Sequence, residues 1–382
     1  MKVLGTRWHH TARVDPKAET AQLKSRLVVQ GVKTIPFLSL FGPTFTPLPR
    51  WDVISLFFVL DTRLKLPVYV TDFAKAYLTQ RAAYGLPQSG RAFHLKVKDK
   101  LDQLDFVSLS EGVTLYIGRR GGDYVILVIY VDDGLIAGKK ALVEDVVGEL
   151  QEDFDVTSAE PSMASSILVS VKSQIEKALK MHGFEDIKPL HMPIQPGIVY
   201  VEWDGEAIKP GEYLSAVGSL LFIATTRVDV QYAVGVASRY SSNPGPKHWE
   251  LVKRIFAYLS VTRDVALEMG LSRSDGSGLV AFVDADHGGD IETRRSTTGV
   301  VVQLDGTTIL TLSRRQSSVQ LSTFQAELNA VVVALGELEW ISSVISSLPI
   351  GNDAPFTSST ITSRPSTLFF RPPTSSLRNS TT

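Results

Sequence analysis

The sequence predicts an α+β chain. Apolar, β-branched runs stop abruptly at acids: Tyr124–Gly138 reads YVILVIYVDDGLIAG, and Val280–Asp286 reads VAFVDAD. Segments of helical spacing lie among them, at Trp51–Leu64, Ala92–Phe106 and Ala141–Phe154. The 382 residues, 44% hydrophobic and 21% charged, have material for more than one core. Length alone suggests about two or three domains.

Within the first run, Val125 to Val131 reads as a buried strand. Asp132, Asp133 and Gly134 break it, and Leu135–Ala137 resumes as a second, short strand. Two strands joined at an acidic tip make a hairpin. A plain turn accounts for part of this, because Asp-Gly is among the best hairpin-turn signals. The chemical account is different. Successive strand side chains point to opposite faces, so neighbouring acids converge only where the strand turns. Crowded carboxylates repel one another unless a hard cation sits among them, and Mg²⁺ takes one or two carboxylates plus phosphate oxygens.

Formal net charge is −1, so a nucleic-acid partner needs cations gathered on one face. There is no Cys, which excludes disulfides and thiolate metal sites. No uninterrupted apolar run reaches the roughly 18–20 residues of a membrane span. The opening MKVLGTRWHHTARVD lacks the apolar core of a signal peptide and reads as the middle of a longer protein. These features place the chain inside a cell, in cytoplasm or nucleus, with no membrane partner.

Tyr130-Val131-Asp132-Asp133 resembles the Y-x-D-D hairpin of reverse transcriptases, and its continuation to Gly138 is similar to that of copia-type retrotransposons. Other phrases match in the same order. Val3–Trp8 and Lys24–Gly31 resemble the family's opening strands, and the likeness implies that Lys24 and Arg26 hold an incoming triphosphate. Solvated cations on a strand edge explain the same residues from spacing alone. In Leu66–Leu78, Val68, Val70 and Asp72 share one strand face at period two, with Asp72 at its end. This phrase resembles the family's Q-L-D-V-K-x-A-F-L, and Asp72 is the upstream carboxylate it implies. Tyr77 falls where the family has a ring under the sugar, although core aromatics are common. Ala82–Phe93 resembles S-L-Y-G-L-K-Q-A-P-R-A-W, which implies nucleotide contacts for Gln88 and Arg91.

The chain also departs from the family. A long segment between Leu78 and Ala82 is reduced to Thr79-Gln80-Arg81, and the primer-gripping hairpin expected over 155–170 is replaced by Ser-, Ala- and Pro-containing filler. Lys96, Lys98 and Lys100 on the helix over Ala92–Phe106 read as a solvated face, or as contacts to a phosphate backbone. Ile167–His182 has helical character. Residues 194–275 resemble the family's connection, with Tyr213–Val230 matching Y-R-x-L-V-G-S-L-L-Y-L-x-x-T-R-P-D-I except for Val228 in place of proline.

The second acidic strand resembles the S-D-A-D-W of the retroelement RNase H. Leu321–Ala330 is similar to L-S-S-T-E-A-E-Y-x-A and opens a helix with Ser322 or Thr323 as N-cap. The likeness implies Asp284 and Glu327 as catalytic and metal-holding carboxylates; a capped helix with a first-turn Glu explains the same pattern. The family's third RNase H carboxylate is missing, and Gly351–Thr382 is rich in Ser, Thr and Pro.

The domain plan follows: reverse transcriptase fingers and palm over 1–193, thumb or connection over 194–275, a partial RNase H-like α/β domain over 276–348, and a disordered tail over 349–382. The resemblance implies an RNA-directed DNA polymerase with RNase H. Asp72, Asp132 and Asp133, and separately Asp284 and Glu327, would hold two Mg²⁺ per site, with Mn²⁺ as a substitute. RNA template, DNA primer, RNA–DNA hybrid and deoxynucleoside triphosphates are the partners implied. The gaps point to a degenerate copy, so the alternative is a catalytically dead remnant that at most binds nucleic acid. A metal-dependent phosphatase or nuclease of unrelated fold would instead scatter its acids on loops.

Overall fold

A computed structural model of the chain describes residues 6–14, 21–29, 46–74, 86, 88–108, 112–161, 167–270, 278–346, 359–362 and 370–371. The chain divides into two compact units, one of Met1–Phe57, Leu64–Ala164 and Ser347–Pro349, the other of Phe58–Arg63, Ser165–Ser346 and Ile350–Thr382.

In the first unit, β1 (Thr6–Val14) and β2 (Ala21–Val29) form an antiparallel ladder of their own. Helix α1 (Trp51–Leu64) begins in this unit. Then come β3 (Val68–Ala74), α2 (Ser89–Gln103), β4 (Val107–Ser108), β5 (Leu115–Arg120), β6 (Asp123–Tyr130), β7 (Asp133–Ala137), α3 (Lys140–Gln151) and β8 (Asp155–Ser158). The six strands from β3 to β8 form one sheet in the order β4-β5-β6-β7-β3-β8, antiparallel throughout.

Tyr124 to Ile129 is buried without a break, so β6 is apolar on both faces rather than alternating. On one face, Phe93, Val97 and Leu101 of α2 join Val143, Val146, Val147 and Leu150 of α3. They cover Tyr69, Phe73, Val125, Leu127, Ile129 and Ile136 of the sheet. Each such side chain contributes about 1.5–3 kcal/mol on full burial. Phe73, Phe93 and Phe154 form an edge-on triangle with centroids 5.7, 5.8 and 6.0 Å apart.

The second unit contains β9 (Ile167–Val169), α4 (Lys172–His182), α5 (Pro210–Ala224), α6 (Gln231–Ser238), α7 (Pro246–Val261), β10 (Ala266–Met269), β11 (Leu279–Asp286), β12 (Thr297–Leu304), β13 (Thr307–Arg315), α8 (Thr323–Ser346), β14 (Ser359–Thr362) and β15 (Phe370–Arg371). Helices α4 to α7 share a core that includes Ile175, Tyr213, Leu220, Val234 and Phe256. Helix α4 ends on Gly183 at φ 68°, where Phe184 N–H donates to Leu179 O at 2.8 Å in a left-handed cap. The sequence boundary at 193 therefore falls inside this unit, because Ile175, Ala178 and Leu179 of α4 pack with the helices that follow.

The larger sheet of this unit runs β13-β12-β11-β14, with β14 parallel to β11 and the other pairs antiparallel. Helix α8 packs on β11 and β12. It buries Ala326, Ala330, Ala334, Leu338 and Ile341, and the three alanines, four residues apart, let the helix lie close to the strands. By length and composition α8 could cross a bilayer. Glu327, Glu337 and Glu339 interrupt its apolar pattern, so it contains no unbroken apolar run of membrane-spanning length.

The filler after Thr157 is not wholly structureless: β8 pairs with β3 and β9 pairs with β10, so the two strands join different sheets and make no hairpin with each other. Residues 167–182 are a strand followed by a helix. Within 349–382, read as disordered, Ser359–Thr362 extends the β11 sheet and Phe370–Arg371 pairs with β10; the remainder lies outside the described residues.

Candidate functional site

The β6–β7 hairpin closes on the pair Tyr130–Asp133, so its turn is Val131–Asp132. Gly134 is not in the turn. It pairs with Ile129 on one side and Thr71 on the other. The hairpin-turn explanation of Asp-Gly therefore does not apply. The left-handed turn conformation falls on Val131, at φ 57°. A β-branched residue there costs about 1–2 kcal/mol, and such strain gathers at functional sites. Gly134 is needed for contact instead: a Cβ there would lie 2.5 Å from Thr71 Oγ1 and 3.2 Å from Val128 O.

Because β3 is the next strand to β7, Asp72 lies directly opposite Asp133. Opposed residues on antiparallel strands share a face, with Cβ atoms about 4.5–5.5 Å apart. Phe73 N–H donates to Asp132 O at 2.7 Å, which ties the turn to β3. The residue after Asp72 anchors the arrangement: Phe73 is buried against Phe93 of α2. Asp72 and Asp133 are exposed and Asp132 is half-buried. Burial first, and then the charges of Asp132 and Asp72, push the Asp133 carboxyl above its ordinary range. No cation among the described residues pairs with any of the three. The described residues contain no ready-made group of three metal ligands.

Gln88 sits at the N-terminal boundary of α2, one turn before Phe93, with its Oε1 buried and unpartnered. Arg91 lies in the first turn, partly buried. Lys24 and Arg26 fall on β2, of which the backbone but not these side chains is described. Tyr77 lies outside the described residues. The three lysines of α2 are not a free cationic face. Lys98 pairs with Asp102 at 2.7 Å, Lys100 with Glu152 at 2.8 Å and Asp153 at 3.1 Å, and Lys96 Nζ donates to Asp153 O at 3.0 Å.

In the second unit, Asp284 is exposed near the end of β11 and pairs with Gly299. Glu327 is partly buried in the first turns of α8, whose N-terminus is capped by Ser322 Oγ accepting from Gln325 N–H at 3.2 Å. Gln316 Nε2 donates to Ala326 O at 2.9 Å and to Thr298 Oγ1 at 3.0 Å, joining α8 to β12. Thr298 is opposite Ala285, so Asp284 projects from the other face of β11. The structure thus ties the start of α8 to the acidic strand end while turning the Asp284 side chain away from that helix face.

Two clusters had no assigned role in the sequence reading. Arg227 is fully buried and donates to both Asp229 oxygens, at 2.9 and 2.6 Å, and to Thr262 O and Oγ1 at 2.8 and 2.7 Å. Tyr258 Oη also donates to Asp229, at 2.7 Å. The available signal was Arg-x-Asp within Tyr213–Val230. Asp290 is also buried, with Arg239, Arg315 and Thr293 around it. Burial pushes its carboxyl up, but hydrogen bonds from Arg315 and Thr293 and the charge of Arg239 outweigh that and hold it below the ordinary range.

Residues 73–165 match a family model described as reverse transcriptase (RNA-dependent DNA polymerase). The match takes in Asp132 and Asp133 and begins one residue after Asp72. A Pol polyprotein from transposon TNT 1-94 of Nicotiana tabacum is 29% identical over 394 residues, covering 90% of this chain and 29% of the relative. Residues 73–165 thus carry a reverse transcriptase domain, and about nine-tenths of the chain is similar to Pol polyproteins of plant transposons. Transposon RE1 of Arabidopsis thaliana supplies a similar Pol polyprotein, 27% identical over 387 residues, 91% of this chain and 26% of the relative. A protein named secreted RxLR effector protein 161, from Plasmopara viticola, is 40% identical over 136 residues, 35% of this chain and 94% of that protein. The chain spans less than a third of the length of the two Pol polyproteins.

Proposed function

We propose that this Pol segment is an RNA-directed DNA polymerase whose chemistry is held at the β6–β7 tip. The observation that carries the reading is the pairing of Asp72 with Asp133 across β3 and β7, with Asp132 tied to Phe73 beside them. Asp72, Asp132 and Asp133 would hold Mg²⁺, or Mn²⁺ in its place. When bound, the ions supply charge neutralisation for a triphosphate and acidify a primer 3′-hydroxyl. The carboxylates fix where that charge sits, and the strained turn at Val131 presents them beyond the apolar strands. Lys24 and Arg26 would neutralise the triphosphate, Gln88 and Arg91 would contact the nucleotide, and Tyr77 would pack under its sugar.

Primer extension on an RNA template with Mg²⁺ tests this reading. The wild-type chain should extend the primer, and Asp132→Asn should lose on the order of a hundredfold or more, as preorganised charges at reacting centres do. No extension from soluble, folded protein would favour the second reading, a nucleic-acid-binding remnant. One observation supports that alternative: among the described residues, β8 and β9 join separate sheets and do not pair with each other as a primer-gripping hairpin would.

For the second unit, the reading is hydrolysis of the RNA strand of a hybrid at the β11 end, with Asp284 as a metal-holding carboxylate; Glu327, on the helix tied to the opposite face of β11, would have to reach it around the strand end. The sheet order β13-β12-β11-β14, with a parallel fourth strand reached through α8, supports an RNase H-like fold. Cleavage of a labelled hybrid in Mg²⁺ by the wild-type chain, lost in Asp284→Asn, is the matching test.

A further inference from the structure

The loop after β11 is built around the buried carboxylate of Asp290. Thr293 Oγ1 donates to it at 2.8 Å, Arg239, which caps the C-terminus of α6, at 3.4 Å, and Arg315 at the end of β13 also donates. The backbone closes around the same residue, with Asp290 N–H donating to Arg295 O at 3.2 Å and Arg294 N–H to Asp290 O at 2.7 Å. Gly288 N–H donates to Ser296 Oγ at 3.1 Å. A helix, a loop and a strand end are therefore locked together. The lock holds Arg294 at φ 54°, a conformation that L side chains rarely adopt.

The loop carries two acids, Asp290 and the exposed Glu292, and two arginines, Arg294 and Arg295, and its ion pairs leave those arginines unengaged. Arg239 and Arg315 both pair with Asp290. Arg294, which is exposed, and Arg295, which is partly buried, have no carboxylate partner among the described residues. The exposed Arg314, opposite Thr298, has none either. Asp284 and Asp286 immediately precede the loop in the chain. A guanidinium on a fixed backbone is suited to a phosphate, because its planar fork loses little freedom on binding.

We propose that Arg294 and Arg295 grip the phosphodiester backbone of a nucleic acid lying at the acidic end of β11. The proposal rests on the hydrolytic reading of this sheet for the identity of the nucleic acid, an RNA–DNA hybrid. Asp290 is the positioning residue: it pairs with Arg239 and Arg315 and fixes the backbone of the loop that carries the other two.

The test is fluorescence anisotropy of a labelled RNA–DNA hybrid with the full chain, in EDTA, over a range of salt. The Arg294→Gln/Arg295→Gln double variant should bind several-fold more weakly, with the slope of log affinity against log salt shallower by about two, one per lost phosphate contact. Arg294→Lys/Arg295→Lys should keep most of the slope. Lys177→Gln/Lys180→Gln, which removes two exposed charges from α4, should keep it fully. The proposal is overturned if the arginine-to-glutamine variant, with an unchanged melting curve, matches the α4 control, or if the wild-type chain does not bind the hybrid. Hybrid cleavage by the wild-type chain in Mg²⁺ is measured separately. A lost salt slope without any cleavage refutes hydrolysis and keeps the grip; cleavage with an unchanged slope does the reverse.

Discussion

Asp72 stands directly opposite Asp133 in the ladder between β3 and β7. The two carboxylates share a face at the end of a strand pair whose other residues make the core. With no cation present, that face is repulsive, and the raised pKa of Asp133 reflects burial together with Asp132 and Asp72. An acid whose folded pKa is raised binds more protons when folded, so stability falls as pH rises from the unfolded carboxylate value through the folded one. Asp133→Asn should therefore make the first unit more stable at neutral pH and flatten its melting temperature across that window. Thermal melts at several pH values without divalent ions check this; a destabilised variant would contradict the crowding.

Gly134 separates close packing from turn chemistry. Gly134→Ala should destabilise by about 1–3 kcal/mol through overpacking, because its Cβ meets Thr71 Oγ1. Thr71→Ala should recover part of that loss, since it removes the oxygen in the way. A double-mutant cycle in urea measures the coupling. Independent, additive effects would mean that the contact is not the reason for the glycine.

Arg227 should be the costliest single charge to remove from the helical unit. Its four hydrogen bonds end on Asp229 and Thr262, and Arg227→Met leaves Asp229 with only Tyr258. Breaking a buried pair in this way costs about 3–5 kcal/mol. Denaturant unfolding reads it directly, and a loss below about 1 kcal/mol would place the pair among weak surface bridges.

His248 gives the same unit an acid sensitivity. Its Nδ1 accepts from Gly245 N–H at 2.9 Å while Nε2 donates to Val201 O at 2.9 Å, so the ring serves as a neutral imidazole. It also stacks on Tyr240 at 3.9 Å. Burial leads the causes that lower its pKa. A depressed folded value means its contribution is present above the unfolded pKa, about 6.5, and is lost as pH falls through the folded one. Melting temperature should drop on acidification below about pH 6.5, and His248→Gln should reduce that dependence.

Much of the first unit was legible because its signals are local. The apolar run of β6 and the helical spacing of α2 and α3 each declare one element, and strand alternation placed Asp72 at an exposed end. What was not legible depends on register and partners. Asp-Gly at Asp133-Gly134 is a strong turn signal, yet the turn formed one step earlier on Val131, because Gly134 must admit Thr71 from a strand sixty residues away in sequence. The lysines of α2 looked solvated because Glu152 and Asp153 reach them only after folding. Asp290 is illegible for the same reason: its arginines come from the C-cap of α6 and the end of β13.

The central claim is that Asp72, Asp132 and Asp133 act together on a cation. Mn²⁺ binding to the full chain, followed by electron paramagnetic resonance without nucleotide and again with a triphosphate, tests it most directly. The account predicts binding that strengthens with triphosphate and is lost in both Asp72→Asn and Asp132→Asn, with melting curves intact. Binding that is the same in the wild-type chain and both variants would contradict it.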